Sequence, residues 1–274
     1  MSHFGVVIPT HQGSRLLVRS MTSLARQRFT GKLAVVVAVN DSRADSFAQA
    51  QRLAPMLTAT GAACTVIRTP PGRGAAFDAA DRHLPPAPRL YLDQDATLSP
   101  RAIADLAEAL APGTGVHFAV PVLRLAPPQS LVSRAYYRVW RELPYVRRSP
   151  VTFGAYAVSE QGRRRWGEFP RLHSDDKWVR WHFAPHERRI VESASYEVVV
   201  PDGLAALVRA RCRYHRGNRE LVTAAKLPPH PDDFARYHGA LRSLVTTPAR
   251  WPAAAVFLAV HGMVALLHGR PGMR

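Results

Sequence analysis

The sequence predicts an α/β fold in which a mainly parallel β-sheet is flanked by helices. Short apolar runs, which are typical of buried strands, alternate with stretches of helical periodicity over the first third of the chain. Strands that alternate with helices indicate βαβ units and therefore parallel pairing. The chain of 274 residues is long enough for one large α/β domain with its own hydrophobic core.

Polar loops are predicted to follow each of the first strands. The strands are predicted at residues 4–8, 33–39, 64–67 and 89–92, with helices between them. The loops carry side chains suited to a nucleotide, namely Thr10, Asn40, Asp41 and Arg73. Because open α/β sheets bind ligands at the carboxyl ends of their strands, we expect a ligand site at this edge.

Two carboxylates end the strand at residues 89–92, in the sequence Leu-Tyr-Leu-Asp-Gln-Asp at residues 90–95. Alternation along an extended chain places Asp93 and Asp95 on the same side. Carboxylate oxygens suit Mg²⁺ or Mn²⁺, which would in turn hold a diphosphate. The pattern alone leaves a second interpretation open, in which the two residues only end the strand and lead into a helix.

Four motifs in this order resemble the nucleotide half of family 2 glycosyltransferases of the GT-A fold. They are Val-Ile-Pro-Thr at residues 7–10, Asn-Asp-Ser at 40–42, Gly-Arg-Gly-Ala-Ala-Phe-Asp-Ala-Ala at 72–80 and Leu-Asp-Gln-Asp at 92–95. The resemblance, of a bacterial polysaccharide or glycolipid type, implies a Rossmann-like GT-A domain over residues 1–225. Residues 1–98 would form its nucleotide-binding half and residues 99–225 its acceptor half, followed by a helical extension at 226–274.

The resemblance also implies roles for individual residues in the donor site. The nucleotide contacts would come from Pro9, Thr10, Asn40, Asp41, Arg73, Asp93 and Arg213. The divalent cation, Mg²⁺ or Mn²⁺, would be held by Asp95 and Asp93, with His215 as a further ligand. An ordinary surface histidine is the alternative for His215. The family often has Asp-Asp-Gly-Ser where this chain has Asn-Asp-Ser-Arg at residues 40–43, and often has Asn in place of Asp78.

The acceptor half contains a glycine before an apolar run and, later, an acidic pair. Gly154 would allow close approach of a ligand or chain to the strand that follows it. By resemblance, Asp176 would be the catalytic base and Asp175 an orienting group. The alternative is structural, because Ser174 or Asp175 could cap the helix that begins here. The two interpretations are compatible.

A basic segment at residues 207–218 resembles the arginine-aromatic motif of the family. Arg213 and Tyr214 match its Arg-Trp pair, while Ala210 stands where the family usually has Gln. Tyr214 would contribute to acceptor binding or orientation. The replaced Gln argues against a processive, cellulose-like synthase.

These residues together predict an inverting, metal-dependent glycosyltransferase. Its donor would be a nucleotide sugar, most often a UDP-sugar in this family, and its acceptor a glycan or a lipid-linked molecule in bacterial polysaccharide or glycolipid synthesis. Two alternatives stay open. One is a nucleotidyltransferase that makes a sugar nucleotide, and the other is a non-catalytic basic protein that binds a membrane or a polyanion.

The formal net charge of +17 exceeds what one nucleotide requires. Anionic lipid or a polyprenyl-diphosphate acceptor would account for it. Nucleic acid is not expected as a partner, because the sequence has neither zinc-finger spacing nor a recognisable nucleic-acid module. Two cysteines give no disulfide framework, so a cytoplasmic location is expected, with peripheral contact at the inner face of the cell membrane as an extension of it.

Two further segments of the sequence each allow several interpretations. A polar helix is predicted to end near residue 246, and the apolar segment at 251–267 would pack on protein, lie in a membrane interface or span the membrane. The aromatic and Arg-rich segment at 131–148 would form an acceptor wall, a basic interfacial patch or an ordinary amphipathic helix.

Overall fold

The computed structural model describes residues 2–11, 15–40, 44–143, 146, 152–224 and 248–268. Two compact units form, one from Met1–Arg124 with Thr152–Val198 and one from Leu125–Val151 with Val199–Arg274. The predicted boundaries at residues 98 and 225 stay predictions. The polar helix predicted before residue 246 lies outside the described residues.

Eight strands in the described part of the chain form one sheet with the order β3-β2-β1-β4-β7-β6-β8-β5. They are β1 (His3–Thr10), β2 (Lys32–Val39), β3 (Ala63–Arg68), β4 (Arg89–Leu92), β5 (Ala96–Leu98), β6 (Phe118–Leu125), β7 (Ala155–Val158) and β8 (Arg188–Val198). The predicted α/β fold is confirmed, and so are the four strands predicted from apolar runs, which are β1 to β4.

The sheet changes pairing direction between β4 and β7. Strand β1 pairs in parallel with β2 and β4, and β2 pairs in parallel with β3. The pairs β4–β7, β6–β7 and β5–β8 are antiparallel. The parallel pairing expected from the sequence therefore holds for the first four strands, and the complete sheet is mixed.

Helices lie between and after these strands in the order of the chain. They are α1 (Arg15–Ala25), α2 (Ala44–Thr58), α3 (Arg73–Asp81), α4 (Ala102–Ala109), α5 (Leu131–Trp140), α6 (Glu160–Arg163), α7 (Asp175–Arg180), α8 (Leu204–Ala224) and α9 (Trp251–His268), with 3₁₀ turns at Pro185–Glu187 and Pro248–Arg250.

An aromatic layer covers one face of the sheet where the pairing direction changes. The ring centroids of Tyr91 and Tyr156 lie 5.0 Å apart in a stacked arrangement, and Tyr156 stacks on Phe118 at 5.9 Å. Phe77 of α3 meets the Tyr91 ring edge-on at 4.9 Å. Since each such ring buries about 150–250 Å², this layer fixes α3 against β4 and β7.

A buried ionic network at Asp81 joins the end of α3 to β4 and α6. The Asp81 carboxylate, whose side chain is 7% exposed, pairs with Arg89 Nη1 at 2.9 Å and with Arg163 Nε at 2.5 Å. It also accepts a hydrogen bond of 2.8 Å from the Tyr91 hydroxyl. Burial of a charge is costly unless it is paired and hydrogen-bonded, and each Asp81 oxygen has such partners here.

In the second unit, α9 packs against α5 and α8. Its buried face consists of Ala253, Phe257, Val260 and Val264, a spacing of four, three and four residues that follows one side of a helix. Packing on protein, one of the three interpretations of this segment, is therefore observed for this face. None of the described helices combines the length and apolarity that crossing a membrane requires.

Helix α5 is amphipathic, as one interpretation of its segment predicted. Tyr136, Tyr137 and Trp140 are buried, whereas Arg134 and Arg138 are exposed. The helix begins with Ser130 as N-cap, whose side chain accepts from the Ser133 amide. The carboxylate of Asp202 accepts from the amides of Gln129 and Ser130 at 3.0 Å each, which satisfies further free donors at the helix start.

Candidate active site

Asp93 and Asp95 lie directly after β4, at the carboxyl end of the parallel strands. The Asp93 amide donates to the Gly154 carbonyl at 2.8 Å, which continues the pairing of β4 with β7 past the last strand residue. The site therefore stands at the edge where the sheet changes direction. This is the edge predicted from the sequence.

Arg73 joins the two acidic motifs of the first unit. Its Nη2 lies 2.7 Å from Asp93 Oδ1, and its Nε donates to Asp175 Oδ2 at 3.1 Å. Burial alone would lower the pKa of Arg73, but Asp175 and Asp93 outweigh burial and raise it well above its usual range. One guanidinium thus connects the predicted donor side of the site to the predicted catalytic side, although the residues are distant in sequence.

The acidic pair at the start of α7 divides into a buried and an accessible member. Asp175 is buried, and burial raises its pKa to about 7, with Asp176 and Asp93 adding to the rise and Arg73 opposing it. Asp176 is partly exposed and accepts a hydrogen bond from Thr152 Oγ1. Asp176 is therefore the solvent-accessible member of the pair.

The capping interpretation of this pair is met in part. Ser174 is the N-cap of α7, but its side chain makes no capping hydrogen bond. Asp175 and Asp176 both lie in the first turn, where negative charge offsets the helix dipole. The predicted chemical roles of these two residues stay predictions, and their position at the helix start is compatible with them.

The start of α3 is held close to the segment that leads to α7. A Cβ atom added to Gly74 would lie 2.8 Å from the Pro170 carbonyl oxygen, so only glycine fits there without a shift. One turn later, the Asp78 carboxylate accepts from the Phe169 amide at 3.0 Å. Asp78, which departs from the resembled motif, therefore helps to position α3 and with it Arg73.

Position 154, beside Asp93, favours glycine for conformational and steric reasons. Its φ of +99° lies in the region that favours glycine, and an added Cβ would lie 3.2 Å from Val198 Cγ1 and 3.6 Å from Asp93 Oδ2. The close approach expected at Gly154 is thus made by the Asp93 side chain itself.

Thr10 ends β1, which pairs with β4, and Asn40 follows β2, the next strand in the sheet. The Asn40 amide donates to the Thr10 carbonyl at 2.9 Å, and Thr10 Oγ1 donates to Gln94 Oε1. Asn40 Oδ1 is buried and has no hydrogen-bond partner among the described residues. Pro9 is buried in β1, and Asp41 lies outside the described residues.

Asp93 and Asp95 form a donor set that fits a divalent cation bound together with a phosphate ligand. Burial and, after it, the neighbouring Asp93 raise the pKa of Asp95 to about 6, so a cation here would relieve the repulsion between the two carboxylates. Among the described residues, no three His, Cys, Asp or Glu side chains group as a metal site. Mg²⁺ is usually held by one or two carboxylates with phosphates and water, which two aspartates satisfy.

The remaining predicted residues, Arg213, Tyr214 and His215, lie in α8 of the second unit. Arg213 and His215 are exposed, and Tyr214 is partly buried. Sequence reasoning missed the aromatic surroundings of Arg211 in the same helix. Its guanidinium lies over the rings of Tyr214, Tyr136 and Trp140 at 4.9, 5.4 and 5.9 Å.

Sequence reasoning also missed Thr152 beside Asp176. Thr152 precedes Gly154 by two residues, and nothing in its sequence surroundings marks it as a partner for a carboxylate 24 positions later. The roles of Arg213, Tyr214 and His215 stay predictions.

Comparisons with known proteins identify the fold. No family model and no curated protein matches the sequence. The structure is similar to that of mannosyltransferase PcManGT from Pyrobaculum calidifontis in complex with GDP-Man and Mn²⁺, with a TM-score of 0.62 and 20% identity over 97% of this chain and 78% of that one. It is also similar to a fragment of S. aureus TarS in complex with UDP-GlcNAc, with a TM-score of 0.54 and 15% identity over 96% and 80%.

A third similar structure is glucosyl-3-phosphoglycerate synthase from Mycobacterium tuberculosis in complex with Mn²⁺, UDP and glucosyl-3-phosphoglycerate. The TM-score is 0.53, with 14% identity over 83% of this chain and 81% of that one. All three similar structures are nucleotide-sugar or nucleotide complexes of glycosyl-transferring enzymes. The chain therefore has the GT-A glycosyltransferase fold, as the resemblance implied.

Proposed function

We propose that this protein is an inverting, metal-dependent glycosyltransferase of family 2. It transfers a sugar from a nucleotide sugar to a glycan or a lipid-linked acceptor in bacterial polysaccharide or glycolipid synthesis. The observation that supports this most directly is the Arg73 bridge between Asp93 and Asp175. It gathers a donor-side carboxylate, a fixed positive charge and an acidic pair at one edge of a GT-A sheet.

The donor would bind at the ends of β1, β2 and β4. Pro9, Thr10, Asn40 and the neighbouring Asp41 would frame the base and ribose. The buried Asn40 Oδ1 offers an acceptor for an N–H or hydroxyl group of the ligand. We expect a uridine nucleotide, since the similar TarS and glucosyl-3-phosphoglycerate synthase structures contain UDP or UDP-GlcNAc, although the PcManGT structure contains GDP-Man.

Negative charge builds on the diphosphate as its bond to the anomeric carbon of the sugar breaks. Mg²⁺ or Mn²⁺, held by Asp95 and Asp93 with the diphosphate, would supply Lewis-acid stabilisation of that charge. Arg73, which is fixed by Asp175, adds a preorganised positive charge beside it. Arg213 and His215 in α8 remain proposed contacts to the same diphosphate and cation.

Asp176 would accept the proton of the attacking acceptor hydroxyl. Such a base typically contributes about 10²–10⁴-fold to the rate. Thr152 orients the Asp176 carboxylate by its hydrogen bond, and Asp175 orients Arg73 from the next position. One base on the acceptor side and direct attack on the anomeric carbon give inversion. Tyr214 is the proposed aromatic contact to the acceptor.

The donor site can be tested by thermal unfolding with UDP, GDP, TDP and CDP, each with and without Mn²⁺ or Mg²⁺. A ligand that binds the folded state raises the melting temperature by mass action. We expect a rise for one nucleotide that requires metal and is lost in Asp95→Asn. Glu192→Gln, which changes an exposed carboxylate on β8, is the matched control and should retain the rise. If no nucleotide shifts the melting temperature, the proposed donor site is wrong.

Catalysis is tested separately by donor turnover with candidate acceptors. Asp176→Asn should lower kcat by about 10²–10⁴-fold while leaving the metal-dependent nucleotide shift unchanged. Full activity in this variant would contradict the assignment of the base. Release of diphosphate from a nucleoside triphosphate would instead favour the nucleotidyltransferase alternative.

A further inference from the structure

The second unit combines a high positive charge with exposed apolar side chains. Its residues include sixteen Arg and Lys but only five Asp and Glu, a formal net charge of +11 out of +17 for the whole chain. Eight large apolar side chains are exposed in the described residues, and only Val18 belongs to the first unit. The other seven are Leu131, Val199, Leu204, Val222, Trp251, Leu258 and Leu266. Exposed apolar groups concentrated in this way mark an interaction surface.

Helix α9 presents the clearest part of this surface. A helix that is apolar all round is normally buried on every side, but α5 and α8 cover only the face that contains Phe257 and Val260. On the other face, Trp251, Leu258 and Leu266 are 57%, 55% and 72% exposed. The positions between them on this face are small, with Ala255, Gly262 and Ala265 exposed as well.

Exposed arginines lie next to α9 in the sequence and also on the two helices that pack against it. Arg250 is exposed immediately before α9, at the end that carries Trp251. Exposed arginines lie on the two supporting helices, among them Arg134 and Arg138 of α5 and Arg209 and Arg216 of α8. Each basic residue that reaches an anionic membrane surface strengthens binding by about fivefold, equivalent to about 1 kcal/mol.

We propose that the exposed face of α9, with Trp251, Leu258 and Leu266, lies in the interface of a bilayer that contains anionic lipid. The charge selects this occupant over a second copy of the chain, because two units of net charge +11 repel each other whereas anionic headgroups attract both the arginines and the protein. An interfacial tryptophan at one end of an apolar face is typical of such helices. The surface goes beyond the proposed transfer reaction, and its binding requires neither donor nor acceptor.

The test is sedimentation of the full chain with vesicles of phosphatidylcholine alone and with vesicles that also contain phosphatidylglycerol. The wild type should bind the anionic vesicles, and Leu258→Gln/Leu266→Gln should bind them at least about tenfold more weakly, because each leucine loses its transfer out of water. Val18→Gln, the matched change of an exposed apolar residue in α1, should bind like the wild type. All three proteins should show the same metal-dependent nucleotide shift, which separates this result from the test of the transferase.

Fluorescence gives an independent reading, because Trp251 is the one of five tryptophans whose side chain is more exposed than buried. Anionic vesicles should shift its emission to shorter wavelength, and Trp251→Phe should abolish that shift without abolishing sedimentation. Three outcomes would overturn the proposal. They are no binding to anionic vesicles, binding that the double variant leaves unchanged, and a dimer that the double variant dissociates while lipid binding persists.

Discussion

The buried network at Asp81 predicts a large loss of stability on a change that removes only charge. In Asp81→Asn the volume at the end of α3 is nearly unchanged, but two guanidinium groups lose their carboxylate. The pairs with Arg89 and Arg163 have nitrogen–oxygen distances of 2.9 and 2.5 Å, and the Tyr91 hydroxyl loses a charged acceptor as well. Breaking a buried ion pair from one side costs about 3–5 kcal/mol.

We expect this cost in the free energy of unfolding, with a melting temperature about 6–20 °C lower at the roughly 2–4 °C per kcal/mol typical of larger domains. The assay is urea unfolding followed by tryptophan fluorescence, with the slope m required to stay constant. The control is Glu160→Gln, which removes the partner of the exposed Arg164 side chain. An exposed pair of this kind contributes only about 0–1 kcal/mol.

A loss below about 1 kcal/mol in Asp81→Asn would refute the reasoning, since that is the range of an exposed pair. A double-mutant cycle with Arg163→Gln refines the result. Arg163 also donates to the carbonyls of Trp166 and Gly167, so its single variant loses more than the ion pair. A coupling free energy above about 0.5 kcal/mol would show that the Asp81–Arg163 pair itself contributes to stability.

Three further predictions follow from the site. Gly154→Ala should lower the free energy of unfolding by about 1–2 kcal/mol, because its φ is positive and Val198 is close; Gly167→Ala, with open space around the added atom, should change it by less than about 0.5 kcal/mol. Burial raises the pKa of Asp175 from 3.8 to about 7, so the folded state holds a proton that the unfolded chain has released. The associated stability is complete below about pH 4 and is lost as the pH rises through about 7. The free energy of unfolding of the wild type minus that of Asp175→Asn should therefore decrease as the pH rises from about 4 to about 7, and an unchanged difference would contradict the shift. Thr152→Val should lower kcat without weakening the metal-dependent nucleotide shift, and Thr152→Ser should restore it; equal kcat in Val and Ser variants would contradict a positioning role.

The parts of the fold that were predictable are those with a continuous apolar pattern. Strand β4 is buried at all four positions, and its Leu-Tyr-Leu run identified it together with Asp93. Strand β8 alternates between exposed and buried positions over eleven residues and contains charged side chains, so it has no such run and was missed. Strand β5 has only three residues, too few for any periodicity.

Within the site, residue types could be predicted but most contacts could not. The resemblance placed Arg73 near a nucleotide, but its pairing with Asp175 joins residues 102 positions apart and depends on how α3 packs. Asp78 was recognised only as a departure from a motif, although it accepts from the Phe169 amide. Thr152 has no local signal, because its partner Asp176 is defined by tertiary structure alone.

The antiparallel ladder between β4 and β7 has a mechanical consequence for turnover. Asp93 continues from β4 and is hydrogen-bonded to Gly154, while Thr152 lies two residues before Gly154 and holds Asp176. Asp93, Gly154 and Thr152 cannot separate by a hinge without breaking ladder hydrogen bonds and the aromatic layer behind them. Entry of substrates and exit of products are therefore expected to depend on loop movements at the rim, while the spacing between Asp93 and Thr152 stays constant through the cycle.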